Sequence, residues 1–167
     1  LEPSKSGVLG LICAALGVSR DDEVTLARLA VLRMGVRADQ EGRLSRDYHT
    51  ASNVLKAGGG IKETELSTRY YLADAAFLVG LEGEDQNLLR NAHAALKNPV
   101  WPLFLGRKAF VPGVPVYLDD GLLLDTGLLE ALAKYPYLGR GEPPEKLRLV
   151  IENPNGNLIR ADQPLSF

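Results

Sequence analysis

The chain has 167 residues, with 19 basic side chains against 21 acidic ones, for a net charge of −2. It is 46% apolar and 24% charged, a globular balance that excludes dominant disorder and a polycationic nucleic-acid coat. One cysteine, Cys13, and two histidines, His49 and His93, exclude an intrachain disulfide and a four-ligand Cys/His zinc site. They suit a reducing, cytoplasmic setting. No metal or other cofactor is expected.

Pro3, Ser4 and Ser6 are start signals for a helix through the apolar run 8–18, which meets Gly17 near its end. That run is about half the ~20 residues a membrane span needs, so it reads as a core helix and no membrane partner is expected. Residues 25–34 place Leu26, Leu29, Ala30 and Leu32 at helical spacing. Residues 35–39 alternate apolar with charged, the pattern of a half-buried strand. Residues 40–46 read as a polar bend. Residues 51–67 have no strong period and contain Gly58, Gly59 and Gly60, which predicts a long loop.

Residues 70–83 are rich in β-formers and predict one central strand, with Asp74 its only charge before Glu82. Residues 84–97 predict an amphipathic helix with Leu88, Leu89, Ala92, Ala95 and Leu96 on one side, stopped by Asn98 and Pro99. Residues 100–118 are proline-punctuated and extended, and Arg107 and Lys108 are their only charges. A short helix is expected over 122–134. Strands are expected over 147–152 and 157–161, joined by a turn at Asn155-Gly156.

This order is α+β. With one strand supplied before residue 1 it becomes β-α-β-β-α-β, a ferredoxin-like (RRM-like) arrangement whose sheet or groove often meets RNA. The expected division is a domain over 1–118 with an insertion at 51–67. A small β-rich extension over 119–167 then carries the hairpin 147–161.

Three constellations could carry chemistry. Ser4, Lys5 and Ser6 bring hydroxyls and a cation to a helix N-terminus, which attracts phosphate; plain capping is the equal alternative. Tyr48, His49 and Lys56 are the residue types of a metal-independent endoribonuclease, although a polar loop with a structural histidine explains them too. Arg107 and Lys108 follow Gly106 between Phe104 and Phe110, which suits phosphate contact with stacking nearby, or a solvated turn. His93, among alanines, reads as a surface or packing residue.

Four segments together carry a resemblance: PSKSGVLGLICAALGVSRDD, RDYHT, TRYYLADAAFLVGLEG and NPVWPLFLGRKAFVPGVPVYL. In order and spacing they resemble the fifth Cas family, in its type I-E branch, the subunits of the CRISPR surveillance complex Cascade. The resemblance covers most of residues 2–118 and is most specific at LGRK and PSKSG. It implies a first strand before Leu1 and a further stretch after Phe167.

It also implies a non-catalytic role in antiviral defence. Such a subunit caps the complex and holds the 5′ handle of the crRNA. Its extended thumb, here 51–67, reaches the backbone subunit CasC, and it also meets the large subunit CasA. Target DNA is met only indirectly, through the complex. On this reading Ser4, Lys5, Ser6, Arg46, His49, Arg107 and Lys108 are expected to contact the handle, and Lys56, Lys62 and Arg69 the guide beside the thumb. A related branch cleaves RNA with a Tyr, a Lys and a His. Here Tyr48 and His49 are adjacent and Lys56 is apart, so that catalytic role is not carried over. A pure protein scaffold, with 100–118 as its interface, is the third reading.

Overall fold

The computed structural model describes residues 1–153, 155 and 156. It opens with α1 (Lys5–Leu16), where the Ser4 hydroxyl accepts from the Gly7 amide and Gly17 closes the helix with its amide on the Cys13 carbonyl. Helix α2 (Glu23–Ala30) is capped by Asp22, which accepts from the Thr25 amide at 3.0 Å. Then follow β1 (Arg33–Gln40), β2 (Arg43–Leu55), β3 (Ile61–Ala73), β4 (Ala76–Glu82) and α3 (Gln86–Lys97). Helix α4 (Leu128–Lys134) and β5 (Arg148–Ile151) complete the described elements.

The main sheet has the order β4-β1-β5, antiparallel throughout. On one side Ile12, Cys13, Leu29, Leu32, Leu88 and Ala92 form a core between helices, joined by Leu81 of β4. Burial pushes the Cys13 thiol pKa up, with a smaller push from Asp22. A second core joins Leu128 and Leu132 of α4 to Leu78, Leu149 and Ile151 of the sheet. Gly35 and Gly80 are direct cross-strand partners beneath α4. A Cβ at either would come within 2.6 Å of a leucine methyl of α4, so their small size sets how closely the helix lies on the sheet.

Strands β2 and β3 form a separate two-stranded arm, in register from Arg43↔Ala73 to Leu55↔Ile61. Each strand has 13 residues, so the arm is roughly 40 Å long at about 3.3 Å per residue. Its base is a break in the ribbon. Gly42 takes a left-handed φ of 72°, and a Cβ there would lie 2.7 Å from the Ala73 carbonyl oxygen. Opposite, Asp74 has φ 60°, its carbonyl accepting from Gln40 and its carboxylate pairing with Arg140 at 3.1 Å.

Several sequence expectations are corrected here. Residues 51–67 are not a loop: they are strand on both sides of a turn in which the Gly59 amide donates to the Lys56 carbonyl at 3.0 Å. No residue of the ribbon is buried, and Leu44, Tyr48, Leu66 and Tyr70 alternate onto an exposed face, so their period marks no core. The single strand 70–83 is two strands, broken at Asp74 and Ala75. The bend 40–46 is a two-residue connection at Glu41 and Gly42.

Strand β1 is not half-buried: every residue from Met34 to Asp39 is buried. Its charges are tolerated because they satisfy each other and the chain beyond α4. The Arg37 guanidinium donates to Asp39 and to the carbonyls of Leu132, Tyr135 and Pro136. Helix 122–134 is confined to its last seven residues. Strand β5 pairs with β1, and the Gly156 amide donates to the Asn153 carbonyl at 3.0 Å. The expected second strand, 157–161, lies outside the described residues.

Candidate nucleic-acid interface

The base of the arm brings together three of the cationic candidates, Arg46, Arg107 and Lys108. Arg46 sits on β2 directly opposite Tyr70 of β3, and Leu44, Ser45, Arg46, Tyr70 and Tyr71 line a concavity of about 460 Å³. The Leu105 amide donates to the Phe110 carbonyl at 2.7 Å and the Phe110 amide to the Arg107 carbonyl at 2.8 Å, closing a tight loop. The Phe110 ring stacks on Tyr71 with centroids 4.9 Å apart. The Arg107 guanidinium lies 5.5 Å from the Phe110 ring centre. A column Arg107–Phe110–Tyr71 therefore fixes the loop against the arm beside Arg46 and Tyr70.

Arg107 Nη1 is buried and has no hydrogen-bond partner among the described residues. A guanidinium left short of acceptors is costly in isolation and suited to an anion. Lys108, next to it, is exposed. The side chains of Arg43, Arg46 and Lys108 carry no ion pair among the described residues. These cations are unneutralised, unlike Lys62, which is paired with Glu65.

The other candidates are scattered. His49 stands opposite Ser67 and Arg69 opposite Asp47, so the Arg69 charge is offset across the ribbon. Lys56 is in the turn at the arm's tip. Lys5 is at the other end of the sheet, paired with Glu152 at 2.9 Å, and the same carboxylate oxygen accepts from the Met34 amide. Met34 to Gln40 is six residue steps along β1, roughly 20 Å from the arm's base. The Ser4 hydroxyl is occupied as the cap of α1 and lies 3.2 Å from the Ser6 hydroxyl. The helix-start group and the arm group are thus two places, not one.

The nuclease constellation is not assembled. Adjacent residues of a strand point to opposite faces, so Tyr48 and His49 face away from each other. Lys56 is seven positions beyond His49, on the order of 20 Å along the strand. Among the described residues no cluster of three or more His, Cys, Asp or Glu side chains could hold a metal, and no helix is long and apolar enough to cross a membrane. His93 is a packing residue: its Nε2 is 2.8 Å from the Leu118 carbonyl oxygen and its ring meets Tyr117 at 4.7 Å.

Sequence reasoning missed Tyr70 and Tyr71, which lay inside a run read as a central strand. The signal was Asp74, whose charge in an apolar run marked the strand's break.

A family model described as CRISPR-associated protein (Cas_Cas5) matches residues 1–167. The chain belongs to this family. The CRISPR system Cascade subunit CasD of Escherichia coli (strain K12) is 33% identical to this Cas5-family chain over 150 residues, 82% of the chain and 66% of that protein. A crystal structure of a Cas protein matches with a TM-score of 0.73 at 49% identity, covering 93% of this chain and 68% of that one. A chain of a CRISPR RNA-guided surveillance complex matches with a TM-score of 0.62 at 35% identity, covering 74% of this chain and 54% of that one. The Cas5-family chain thus spans 66% of the curated relative's length.

Proposed function

We propose that this chain belongs to a non-catalytic, RNA-binding subunit of a type I-E Cascade complex, acting in the cytoplasm in antiviral defence. It holds the 5′ handle of the crRNA at the arm's base, and the arm is the thumb that meets the backbone subunit CasC. The subunit also meets the large subunit CasA, and target DNA only through the complex. The frame is read as ferredoxin-like, with the first strand supplied beside β4, whose far edge has no strand partner among the described residues. The observation that carries the reading is the stacked Arg107–Phe110–Tyr71 column beside unneutralised Arg46. It puts cations and π-faces together, the chemistry that single-stranded RNA meets. Similarity to a Cascade subunit supports the assembly role.

The test mixes the full-length protein with end-labelled repeat RNA in EDTA, with and without CasC, on native and denaturing gels. The expected result is RNA that is shifted, uncut and preferred over a scrambled handle. Cut RNA would overturn the non-catalytic reading, and intact RNA that never shifts, even with CasC present, would overturn the binding role.

A further inference from the structure

The arm has two unlike faces. On the face carrying Arg46, the sequence positions are Leu44, Arg46, Tyr48, Thr50 and Ser52 from β2, and Thr64, Leu66, Thr68, Tyr70 and Leu72 from β3. Side chains alternate along each strand, and directly paired residues share a face, so these ten stand together. Arg46 is the only charge among them. No carboxylate accompanies it, and six of the ten carry a hydroxyl. Tyr48 is 67% and Tyr70 is 62% exposed, so both rings meet solvent. Neither ring stacks on another aromatic ring among the described residues.

Tyr70 is directly opposite Arg46, and Tyr48 is the next residue on that face of β2. Tyr48 and Tyr70 are therefore diagonal neighbours, roughly 7–8 Å apart. Stacked bases rise about 3.4 Å each. Two rings separated by two such steps leave the thickness of one base between them.

We propose that Tyr48 and Tyr70 clamp one unpaired base of single-stranded RNA between their rings, while Arg46 meets the phosphate beside it. The inference rests on the RNA-binding reading above and deepens it. The clamp takes any base, because stacking uses the π-face and not the hydrogen-bonding edge. A protein partner would fit this face less well: an unpaired arginine without a carboxylate favours a polyanion, and of the three leucines Leu44 and Leu72 pair at the arm's base while Leu66 stands apart among hydroxyl residues. Tyr71 pairs with Ser45 on the opposite face, so a strand leaving the clamp would round the arm at the concavity lined by Leu44, Ser45, Arg46, Tyr70 and Tyr71 to meet the Tyr71–Phe110–Arg107 column.

The test scans 2-aminopurine, a fluorescent base quenched by stacking, through the 5′ segment of the repeat RNA bound to full-length protein. One position should be strongly quenched. Tyr48→Ala and Tyr70→Ala should each release that quenching and weaken binding roughly five- to 150-fold. Tyr48→Phe and Tyr70→Phe should keep both, and all four variants should retain the wild-type circular dichroism. Arg46→Ala should lower the salt dependence of binding by about one unit of slope. RNA that binds wild type while the alanine variants bind and quench alike would overturn the clamp alone. Loss of CasC binding with quenching intact would reassign the face to protein contact. No RNA binding by wild type would overturn the clamp and the proposed function together.

Discussion

Arg37 and Asp39 stand two positions apart on one strand and form a buried, bidentate ion pair, with Nε–Oδ1 at 2.6 Å and Nη2–Oδ2 at 2.8 Å. Each residue is only 4% exposed. Arg37 also gathers the carbonyls that follow α4, and Asp39 accepts from the Leu138 amide at 2.7 Å. The pair thus ties the segment after α4 to the sheet. Removing one partner leaves a buried charge alone, so Arg37→Ala should cost about 3–5 kcal/mol, read as the shift in a denaturant melt. Replacing both residues by apolar ones of similar volume should cost less. A single-variant loss under about 1 kcal/mol would show that water reaches the site.

Close packing under α4 makes a second prediction. Gly35→Val introduces atoms where Leu132 and Ile151 already lie. Overpacking should destabilise by about 1–3 kcal/mol. The denaturant midpoint should fall with the slope unchanged, and RNA binding by the folded fraction should be intact. An unchanged midpoint would mean that α4 can lift from the sheet.

Acid should loosen the arm's base. Arg148 donates to both carboxylate oxygens of Glu41, at 2.6 and 2.8 Å, and to Glu2 at 2.7 Å. The hydrogen bond from Arg148 holds the Glu41 carboxyl below its ordinary value of 4.5. A depressed folded pKa stabilises the fold above the unfolded value, and that contribution is lost as pH falls through the folded one. Thermal midpoints should therefore drop below about pH 4.5, and Glu41→Gln should flatten that limb. An identical acid limb in the variant would remove Glu41 as its source.

The extent to which this fold could be read from sequence follows from where it buries apolar surface. Helix α1 was legible because Ser4 and Gly17 cap it, and α3 because Leu88 and Ala92 repeat at helical spacing. The arm is not, because its strands bury no residue fully and the larger apolar side chains, Leu44, Tyr48, Leu66 and Tyr70, fall on the exposed side of the alternation. Strand β1 misled in the opposite way: Arg37 and Asp39 look solvent-facing until α4's trailing carbonyls arrive from almost a hundred positions away. The site was half legible. Arg107 and Lys108 are legible from residue type and neighbours and Arg46 from the family resemblance, but the Tyr71–Phe110 stack that joins the loop to the arm is not. Lys5, expected at the handle with them, is paired with Glu152 instead.

The most direct measurement is an equilibrium titration of 5′-handle RNA across a salt series, using full-length wild type and Arg107→Ala/Lys108→Ala. The account predicts weaker binding, a salt slope smaller by about one to two units and a variant that stays folded by circular dichroism. Equal affinity and equal slope at low salt would contradict it, because the loop held against the arm by Phe110 and Tyr71 would then not touch the RNA.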